Sequence, residues 1–459
     1  MKTSAFLSLA TLAMAPLATL AAAEAPKPAK PNIVYILADD MGYADAGFNG
    51  CKDIRTPNLD KLGGAGTVLE SFYVQPVCSP TRSSLMTGRY VTRTGVYSVV
   101  RPNAPWGLPL AERTLAQALR ETGYETAICG KWHLGEYQEA YRPTQRGFDH
   151  QYGLWFGNID YFTHKRDNQL DWHRDDQPCK DEGYTTHLIA KEACRIIREK
   201  PADKPLFLYV PFNAVHAPHQ VPENYKEPYA KIQGQRRIYA GMMSAMDEAV
   251  GQITAALQEK GLSDNTLIIF SSDNGGPNPR KVTSNGPLRA GKGAIYEGGI
   301  RVCAFASWPG HIPAGKTVKE PLHIIDWYPT LIKLAGGSLE QKLPLDGRDI
   351  WPVLTEGAKS PHDTLFLPGM AANQAAIRQG DWKLLVKASD VDAEDAATPV
   401  AGKGLELYNL AADIGETKNV AAEHPEIVKV LKAKMAEYQK DAVPFGGAIA
   451  APAKKNKKK

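Results

Sequence analysis

Four apolar runs along the chain each end in a short group of polar residues. The runs are NIVYILADD at 32–40, TAICGKWH at 126–133, PLFLYVPFNAVH at 205–216 and TLIIFSSDN at 266–274. Continuous apolar runs of this length are typical of strands that are buried on both faces. Because ligands gather at the carboxyl ends of parallel strands, we expect the polar residues that close these runs to lie together at one edge of a sheet.

Helical patterns lie between these runs. Apolar residues share one face in LAQALRETG at 115–123 and in SAMDEAVGQITAALQEKG at 244–261, and a glycine closes each pattern as a stop signal. The alternation of strands and helices predicts an α/β fold with a large, mostly parallel sheet flanked by helices.

The pattern changes after about residue 345. AAIRQGDWKLLV at 375–386 predicts a hairpin that turns at 379–381, LELYNL at 405–410 alternates as a strand does, and 425–440 has apolar residues at helical spacing. We predict a smaller C-terminal antiparallel sheet with one covering helix. The chain would then have an N-terminal domain at 24–350, which carries the chemistry, and a C-terminal α+β subdomain at 351–447.

The first 23 residues have the features of a signal peptide. Lys2 precedes an apolar run that Pro16 interrupts, and the small residues at 21–23 fit a cleavage site. The run is too short and too interrupted to span a bilayer stably. We therefore predict an exported protein, periplasmic or secreted, without stable membrane insertion.

The formal net charge of +4 is concentrated at the termini. The last residues, 448–459, end in KKNKKK, and we predict a disordered, Lys-rich tail. Subtracting Lys2 and the five lysines of the tail from +4 leaves −2 for the rest of the chain. Without a distributed basic surface, the sequence argues against a nucleic-acid partner.

Six cysteines are few for 459 residues, and none of them forms a CxxC pair. Neither a zinc site nor a disulfide framework is indicated. Export permits a bridge between Cys179 and Cys194, which the spacing alone does not decide. Cys78, in VCSPTRSSL at 77–85, stands ahead of a proline and an arginine that a structural thiol does not need.

Two doublets that close apolar runs supply oxygen atoms. These are Asp39 with Asp40, and Asp273 with Asn274. Adjacent carboxylates repel unless a cation holds them, and hard oxygen ligands suit calcium or magnesium and not zinc or copper. Helix capping would explain either doublet singly, but it explains the two together less well.

Cationic and titratable residues follow the same runs or lie in segments rich in glycine or proline. Together with Arg82 they would bind a tetrahedral oxyanion: Lys131, His133, His216 and Lys292. Lys131 and His133 are separated by one residue, so both point to one side of an extended segment.

These residues carry a family resemblance. CSPTRSSLMTGR at 78–89 resembles the signature C-x-P-S-R followed by T-G-R of the formylglycine-dependent (type I) sulfatases. GKWHLG, SSDNGG and ILADDMGYADAG occur in the expected order, and the resemblance covers nearly the whole chain after the leader. The resemblance is nearest to the arylsulfatase B (N-acetylgalactosamine-4-sulfatase) branch of the family. It rests there on four segments: QPVCSPTRSSLMTGRY, NAVHAPHQVPENY, YAGMMSAMDEAVG and PLRAGKGAIYEGGIR.

The resemblance implies an alkaline-phosphatase-like fold and a metal site. Calcium, in preference to magnesium, would be held by Asp39, Asp40, Asp273, Asn274 and the modified Cys78. A maturing partner, the formylglycine-generating enzyme, would convert Cys78 to formylglycine.

Catalytic roles are implied for six residues. The hydrate of the formylglycine at Cys78 would attack sulfur and form a covalent sulfo-enzyme intermediate. Arg82 would steady the hydrate and the metal site, His133 would contact the hydrate, and His216 would be the general acid. Lys131 and Lys292 would hold the sulfate oxygens.

The implied substrate is a sulfate ester on a sulfated saccharide, namely a fragment of an exported polysaccharide or glycosaminoglycan with a 4-O-sulfated galactose-type residue. We expect sugar contacts from polar and aromatic residues of the loops: Asn158, Asp160, Trp172, His173 and His219. The alternatives are a phosphatase or phosphodiesterase of the same superfamily, and a non-catalytic binder of sulfated glycans.

Overall fold

The computed structural model describes residues 30–277, 281–371, 373–390, 402 and 404–446. The predicted leader at 1–23 and the Lys-rich tail at 448–459 lie outside the described residues. Among those described, no helix combines the length and the apolar composition that crossing a bilayer requires.

The strands in chain order are β1 (Asn32–Ala38), β2 (Thr67–Leu69), β3 (Phe72–Tyr73), β4 (Glu125–Cys129), β5 (His150–Gly153), β6 (Lys165–Arg166), β7 (Gln169–Leu170), β8 (His173–Arg174), β9 (Gln177–Pro178), β10 (Leu206–Pro211), β11 (Thr266–Ser272), β12 (Arg301–Val302), β13 (Ala304–Ser307), β14 (Lys316–Val318), β15 (Leu322–His323), β16 (Leu365–Pro368), β17 (Ala375–Gln379), β18 (Trp382–Val386) and β19 (Leu405–Asn409).

The α-helices in chain order are α1 (Pro57–Ala65), α2 (Cys78–Thr87), α3 (Val91–Thr94), α4 (Leu115–Glu121), α5 (Thr185–Glu199), α6 (Gln235–Glu259), α7 (Glu297–Ile300), α8 (Trp327–Leu334), α9 (Trp351–Glu356) and α10 (Pro425–Gln439). Short 3-10 segments lie at Gly47–Asn49, Glu139–Tyr141, Pro143–Arg146, Glu223–Tyr229, Ser263–Asn265 and Ile324–Asp326.

A ten-stranded sheet forms the centre of the described chain, in the order β14-β2-β13-β11-β1-β10-β4-β5-β8-β9. The strands from β11 to β5 are parallel, and antiparallel pairs flank them on both sides. The four predicted buried strands are β1, β4, β10 and β11, so the prediction of a mixed, mostly parallel sheet is confirmed.

The two faces of the sheet bury alternate residues of β1. Ile33, Tyr35 and Leu37 belong to the core packed beneath α4 and α8, whereas Val34 and Ile36 belong to the core beneath α5 and α6. Helices on both faces explain why β1 is apolar at successive positions and not alternating. The predicted helix at 244–261 is part of the longer α6, which begins at Gln235.

The C-terminal region forms a separate antiparallel sheet in the order β16-β17-β18-β19. The predicted hairpin is β17 and β18, and α10 packs on this sheet through Leu431 and Met435. The predicted sheet with one covering helix is therefore confirmed. The boundary at 350/351 stays a prediction, and α9 places Val353 and Leu354 in the core of the large sheet.

A buried ion network joins the C-terminal sheet to α7, the short helix that precedes β12. Lys383 Nζ on β18 lies 2.9 Å from Glu297 Oε1 and 2.8 Å from Glu416 Oε1, and none of the three side chains is exposed. Tyr73 donates to Glu297 Oε2 at 2.7 Å. Because buried carboxylates need their partners, the cation of Lys383 is expected to hold the two parts of the chain together.

We expect Lys383→Ala to lower the free energy of unfolding by about 3–5 kcal/mol, because buried Glu416 loses its cation and Glu297 keeps only Arg301, at 3.4 Å. Urea unfolding followed by tryptophan fluorescence measures the change. The matched control is Lys333→Ala, which removes an ion pair of 3.0 Å to Asp349 at a side chain that is 54% exposed, and which should cost about 0–1 kcal/mol. Equal losses in the two variants would contradict the prediction.

Candidate active site

The residues that close the four parallel strands meet at one edge of the sheet. They are Asp39 and Asp40 after β1, Lys131 and His133 after β4, His216 after β10, and Asp273 and Asn274 after β11. Cys78 begins α2, and Lys292 lies in the loop before α7. All of them are buried or nearly so, and their side chains form one cluster.

Arg82, which is fully buried on α2, joins two of the carboxylates. Its Nη2 lies 2.8 Å from Asp273 Oδ2 and 3.8 Å from Asp39 Oδ2. Lys131 Nζ donates to Asp39 Oδ2 at 2.6 Å, and Arg82 Nη1 donates to the carbonyl of Lys131 at 2.7 Å. With no exposed surface on these side chains, each charge depends on its neighbours for compensation.

Asp40 is the centre of a second group. Lys292 Nζ lies 2.7 Å from Asp40 Oδ2, and Asn274 Nδ2 donates to Asp40 Oδ1 at 2.8 Å. His216 Nε2 lies 3.4 Å from Asp40 Oδ2 and 3.1 Å from Lys292 Nζ. Burial, followed by the charge of Lys292, lowers the pKa of His216 to about 3. In this geometry the neutral imidazole accepts a hydrogen bond from the lysine.

The two adjacent aspartates have opposite electrostatic environments. Burial, followed by repulsion from Asp273, raises the pKa of Asp39 to about 8. Burial also acts to raise the pKa of Asp40, but the charge of Lys292 and the contact with His216 outweigh it and lower that pKa. Three carboxylates share this cluster with three cationic side chains, and a bound cation would relieve the repulsion between Asp39 and Asp273.

Unpartnered oxygens test whether the cluster fits a divalent cation. Asp39 Oδ1 and Asn274 Oδ1 are buried and, within the described part of the chain, have no hydrogen-bond partner. Such atoms cost free energy unless a partner is supplied. Since three carboxylates and an amide offer hard oxygen donors, the residues fit Ca²⁺ or Mg²⁺. One ligand atom each of Asp39, Asp40 and His216 lie within 4.8 Å of one another.

Cys78 is the first residue of α2, a helix whose ten residues are all buried. Small and hydroxylated side chains let this helix enter the core: Ser79 Oγ donates to the carbonyl of His133 at 2.8 Å, and Thr81 Oγ1 both donates to and accepts from the backbone of Gln75. Burial raises the pKa of the Cys78 thiol. As encoded, the residue is therefore a protonated thiol near pH 7 and a weak nucleophile.

A cavity of about 50 Å³ lies above Cys78. Five residues predicted from the sequence line it: Cys78, His133, Asn158, His216 and Lys292. His133 Nε2 lies 3.0 Å from the carbonyl oxygen of Val100. Arg82, Lys131 and the three aspartates do not line this cavity, and Asp40 connects them to it through its contacts with Lys292 and His216.

Two glycines allow the backbone to approach this site. A Cβ on Gly157 would lie 2.7 Å from His133 Nε2, and a Cβ on Gly130, which has φ +134, would lie 2.0 Å from the carbonyl oxygen of Pro211. Asp40 and His133 have φ of +61 and +57, a conformation that costs residues with side chains free energy and recurs at functional sites.

Four of the five expected sugar contacts do not line the cavity. Only Asn158 does so. The Asp160 carboxylate accepts from the backbone of Phe162 and Thr163 and from Gln220, and so fixes its own loop. The other three are packed against rings: Trp172 is fully buried against Tyr152 and His164, His173 stacks on Trp155, and half-buried His219 lies against Tyr239.

The sequence analysis missed three residues of this site. Arg101 and Arg166 line the cavity from two different loops. Asp171 is buried and accepts from the backbone of Trp155 and Phe156 at 3.0 and 2.7 Å, which holds the segment that leads to Asn158. No motif surrounds the two arginines. Asp171 is next to Trp172 in the sequence, but no sequence feature distinguishes it from an aspartate on the protein surface.

A family model described as Sulfatase matches residues 31–338, which is more than half of the chain. The chain belongs to the sulfatase family. It is a sulfuric ester hydrolase with the alkaline-phosphatase-like fold, as its motifs indicated.

Individual relatives agree with this assignment. Mouse arylsulfatase J is 39% identical, over 90% of this chain and 77% of that protein. The N-acetylgalactosamine-6-sulfatase of the dog is 34% identical, over 80% of this chain and 73% of that protein. Among solved structures, Ps i-CgsB is 34% identical with a TM-score of 0.84, over 91% of this chain and 94% of that one. A structure of Ps i-CgsB in complex with k-i-k-neocarrahexaose has a TM-score of 0.83 at 33% identity.

Proposed function

We propose that this sulfatase is exported and hydrolyses a sulfate ester of a galactose-type residue in a sulfated polysaccharide or glycosaminoglycan fragment. The observation that carries the proposal is the buried Cys78 in a cavity that His133, His216 and Lys292 also line. A saccharide substrate is supported by Ps i-CgsB, which is described in complex with k-i-k-neocarrahexaose. The resemblance to the N-acetylgalactosamine-4-sulfatase branch favours the 4-O position.

We further propose that Asp39, Asp40, Asp273, Asn274 and residue 78 hold Ca²⁺ in preference to Mg²⁺, and that a formylglycine-generating enzyme matures Cys78. When present, the cation supplies positive charge for the sulfate oxygens, and formylglycine supplies the nucleophilic hydroxyl of its hydrate. The oxygen donor set and the buried, unpartnered Asp39 Oδ1 and Asn274 Oδ1 support the metal part of the proposal.

The chain's own residues would orient the sulfate and move protons. Lys131 contacts Asp39 and Lys292 contacts Asp40, and both lysines would neutralise the sulfate oxygens. His133, held by the carbonyl of Val100, would face the hydrate. His216 would act as the general acid at the leaving oxygen; because its Nε2 accepts a hydrogen bond from Lys292 Nζ at 3.1 Å, the proton that it passes on would come from Lys292 through this contact.

The experiment compares purified, matured enzyme on 4-nitrophenyl sulfate and 4-nitrophenyl phosphate, and on defined galactose-type disaccharides sulfated at O4 or O6. We expect kcat/KM for the sulfate to exceed that for the phosphate by at least roughly a hundred-fold, since the cluster is matched to a monoanionic transferring group. Sulfate release from the O4 ester should exceed release from the O6 ester. A preference for the phosphate would establish the phosphatase alternative, and an O6 preference would overturn the proposed position.

A further inference from the structure

The cavity above Cys78 has a volume of about 50 Å³, and it is lined by both buried and exposed residues. A sulfate group bound next to the buried Cys78 would leave the saccharide that carries it on the exposed side, at the mouth of the cavity. Residues at the mouth, and not those at its base, decide which saccharide is accepted.

Two arginines lie at this mouth. Arg101 comes from the loop between α3 and α4, and Arg166 comes from β6. The described residues that line the cavity include no acidic side chain, so its charged lining residues are all cationic. The two arginines belong to different segments of the chain and line the same cavity.

The guanidinium groups of these arginines have free donors. Arg101 is exposed and, among the described residues, has no ion pair or side-chain hydrogen bond. Arg166 pairs through Nε with Asp167 at 3.6 Å, but Asp167 is 92% exposed, and the two terminal nitrogens of Arg166 are not used in that contact. Exposed pairs of this kind stabilise little and are readily exchanged for a ligand.

The scissile sulfate does not need these two charges. The charges of the cluster itself are formally balanced: three cations, Arg82, Lys131 and Lys292, face three carboxylates, Asp39, Asp40 and Asp273. A divalent cation bound there would add two positive charges, which already exceeds the single negative charge of a sulfate monoester. The arginines add two further positive charges outside the base of the cavity. Guanidinium groups bind sulfate and carboxylate in a bidentate manner, with donors in a fixed plane.

We propose that Arg101 and Arg166 bind a second anionic group of the glycan, next to the scissile sulfate, so that the enzyme is selective for saccharides with at least two anionic groups. The inference rests on the proposed sulfatase function and specifies its substrate class. The second group is a sulfate or a uronate carboxylate, on the same sugar or on its neighbour.

The test uses three disaccharides with the same scissile sulfate: one with no other charge, one with a second sulfate, and one with a uronate as the neighbouring sugar. The wild type should prefer at least one dianionic substrate over the monoanionic one, and the one preferred identifies the second group. The selectivity ratio is kcat/KM for the preferred dianionic substrate divided by kcat/KM for the monoanionic one. The double variant Arg101→Gln/Arg166→Gln should lower this ratio at least roughly ten-fold, mainly by raising KM for the dianionic substrate, since charge-assisted hydrogen bonds are lost. The single variant Arg166→Lys, in which Arg101 is intact, should keep part of this ratio, because lysine retains the positive charge.

Lys165→Gln is the matched control. It removes one positive charge from the adjacent position of β6, where the side chain is exposed and does not line the cavity, and it should leave the ratio unchanged. Thermal unfolding confirms that every variant is folded. Equal kcat/KM on all three substrates in the wild type, or an unchanged ratio in the double variant, would overturn the inference. Failure of the proposed function gives a different result, because 4-nitrophenyl sulfate would then release no sulfate at all.

Discussion

Cys78→Ala should lower kcat on every sulfate ester by about 10⁴-fold or more, while the protein stays folded. The side chain of Cys78 is 2% exposed and lies at the base of the cavity, where alanine removes the reacting group and little else. The remaining cations still bind sulfate, so the variant should bind substrate without turning it over. Kinetics with 4-nitrophenyl sulfate and calorimetric binding of an oligosaccharide substrate measure the two effects.

Cys194→Ala is the control for this prediction, because Cys194 is equally buried but lies on α5, in the core on one face of the sheet. The chemical state of residue 78 gives a second readout. In active protein the tryptic peptide from Leu62 to Arg82 should be lighter than encoded, resist thiol alkylation after reduction and react with a hydrazine. A disulfide would be reversed by reduction, and a sulfenic or sulfinic acid would be heavier. An intact Cys78 thiol throughout a fully active preparation would show that the mechanism is wrong.

The central part of the site could be predicted because the sequence indicates where buried strands end. NIVYILADD and TLIIFSSDN each predict a buried strand and the residue at which it ends, and parallel pairing of β1 with β11 brings Asp39 and Asp273 together. The sequence did not predict that Lys131 contacts Asp39 or that Lys292 contacts Asp40. These contacts depend on how two loops cross the end of the sheet.

The mouth of the cavity could not be predicted, because loop residues there have no periodicity. Asp160 and Trp172 have the polar and aromatic character of sugar contacts, yet Asp160 caps the backbone of its own loop and Trp172 fills the core. Arg101 and Arg166 lie in segments without a motif, and only the packing of two distant loops brings them to one opening. Cys179 and Cys194, for which a disulfide was left open, are both free.

Asp273→Asn should lower kcat roughly a thousand-fold at saturating Ca²⁺ and weaken Ca²⁺ binding, since a metal ion contributes several kcal/mol of charge stabilisation to such a reaction. Asparagine keeps the shape of the side chain and can still accept from Arg82, which donates to Asp273 Oδ2 at 2.8 Å. Asp273→Ala is less informative, because it leaves the buried Arg82 with Asp39, 3.8 Å away, as its nearest carboxylate, and a broken buried pair costs about 3–5 kcal/mol.

Calcium affinity, measured by competition with a chromophoric chelator, separates a metal ligand from a residue that only supports Arg82. Asp247→Asn is the matched control: Asp247 is also a buried aspartate, but its carboxylate accepts from the backbone of Asn58 and Leu59 at the start of α1. This control should change stability and leave Ca²⁺ affinity intact, because Asp247 caps a helix and lies outside the cluster. Unchanged affinity in Asp273→Asn, or full turnover of the wild type after exhaustive chelation, would remove the cation from the proposed site and leave Asp273 as a residue that supports Arg82.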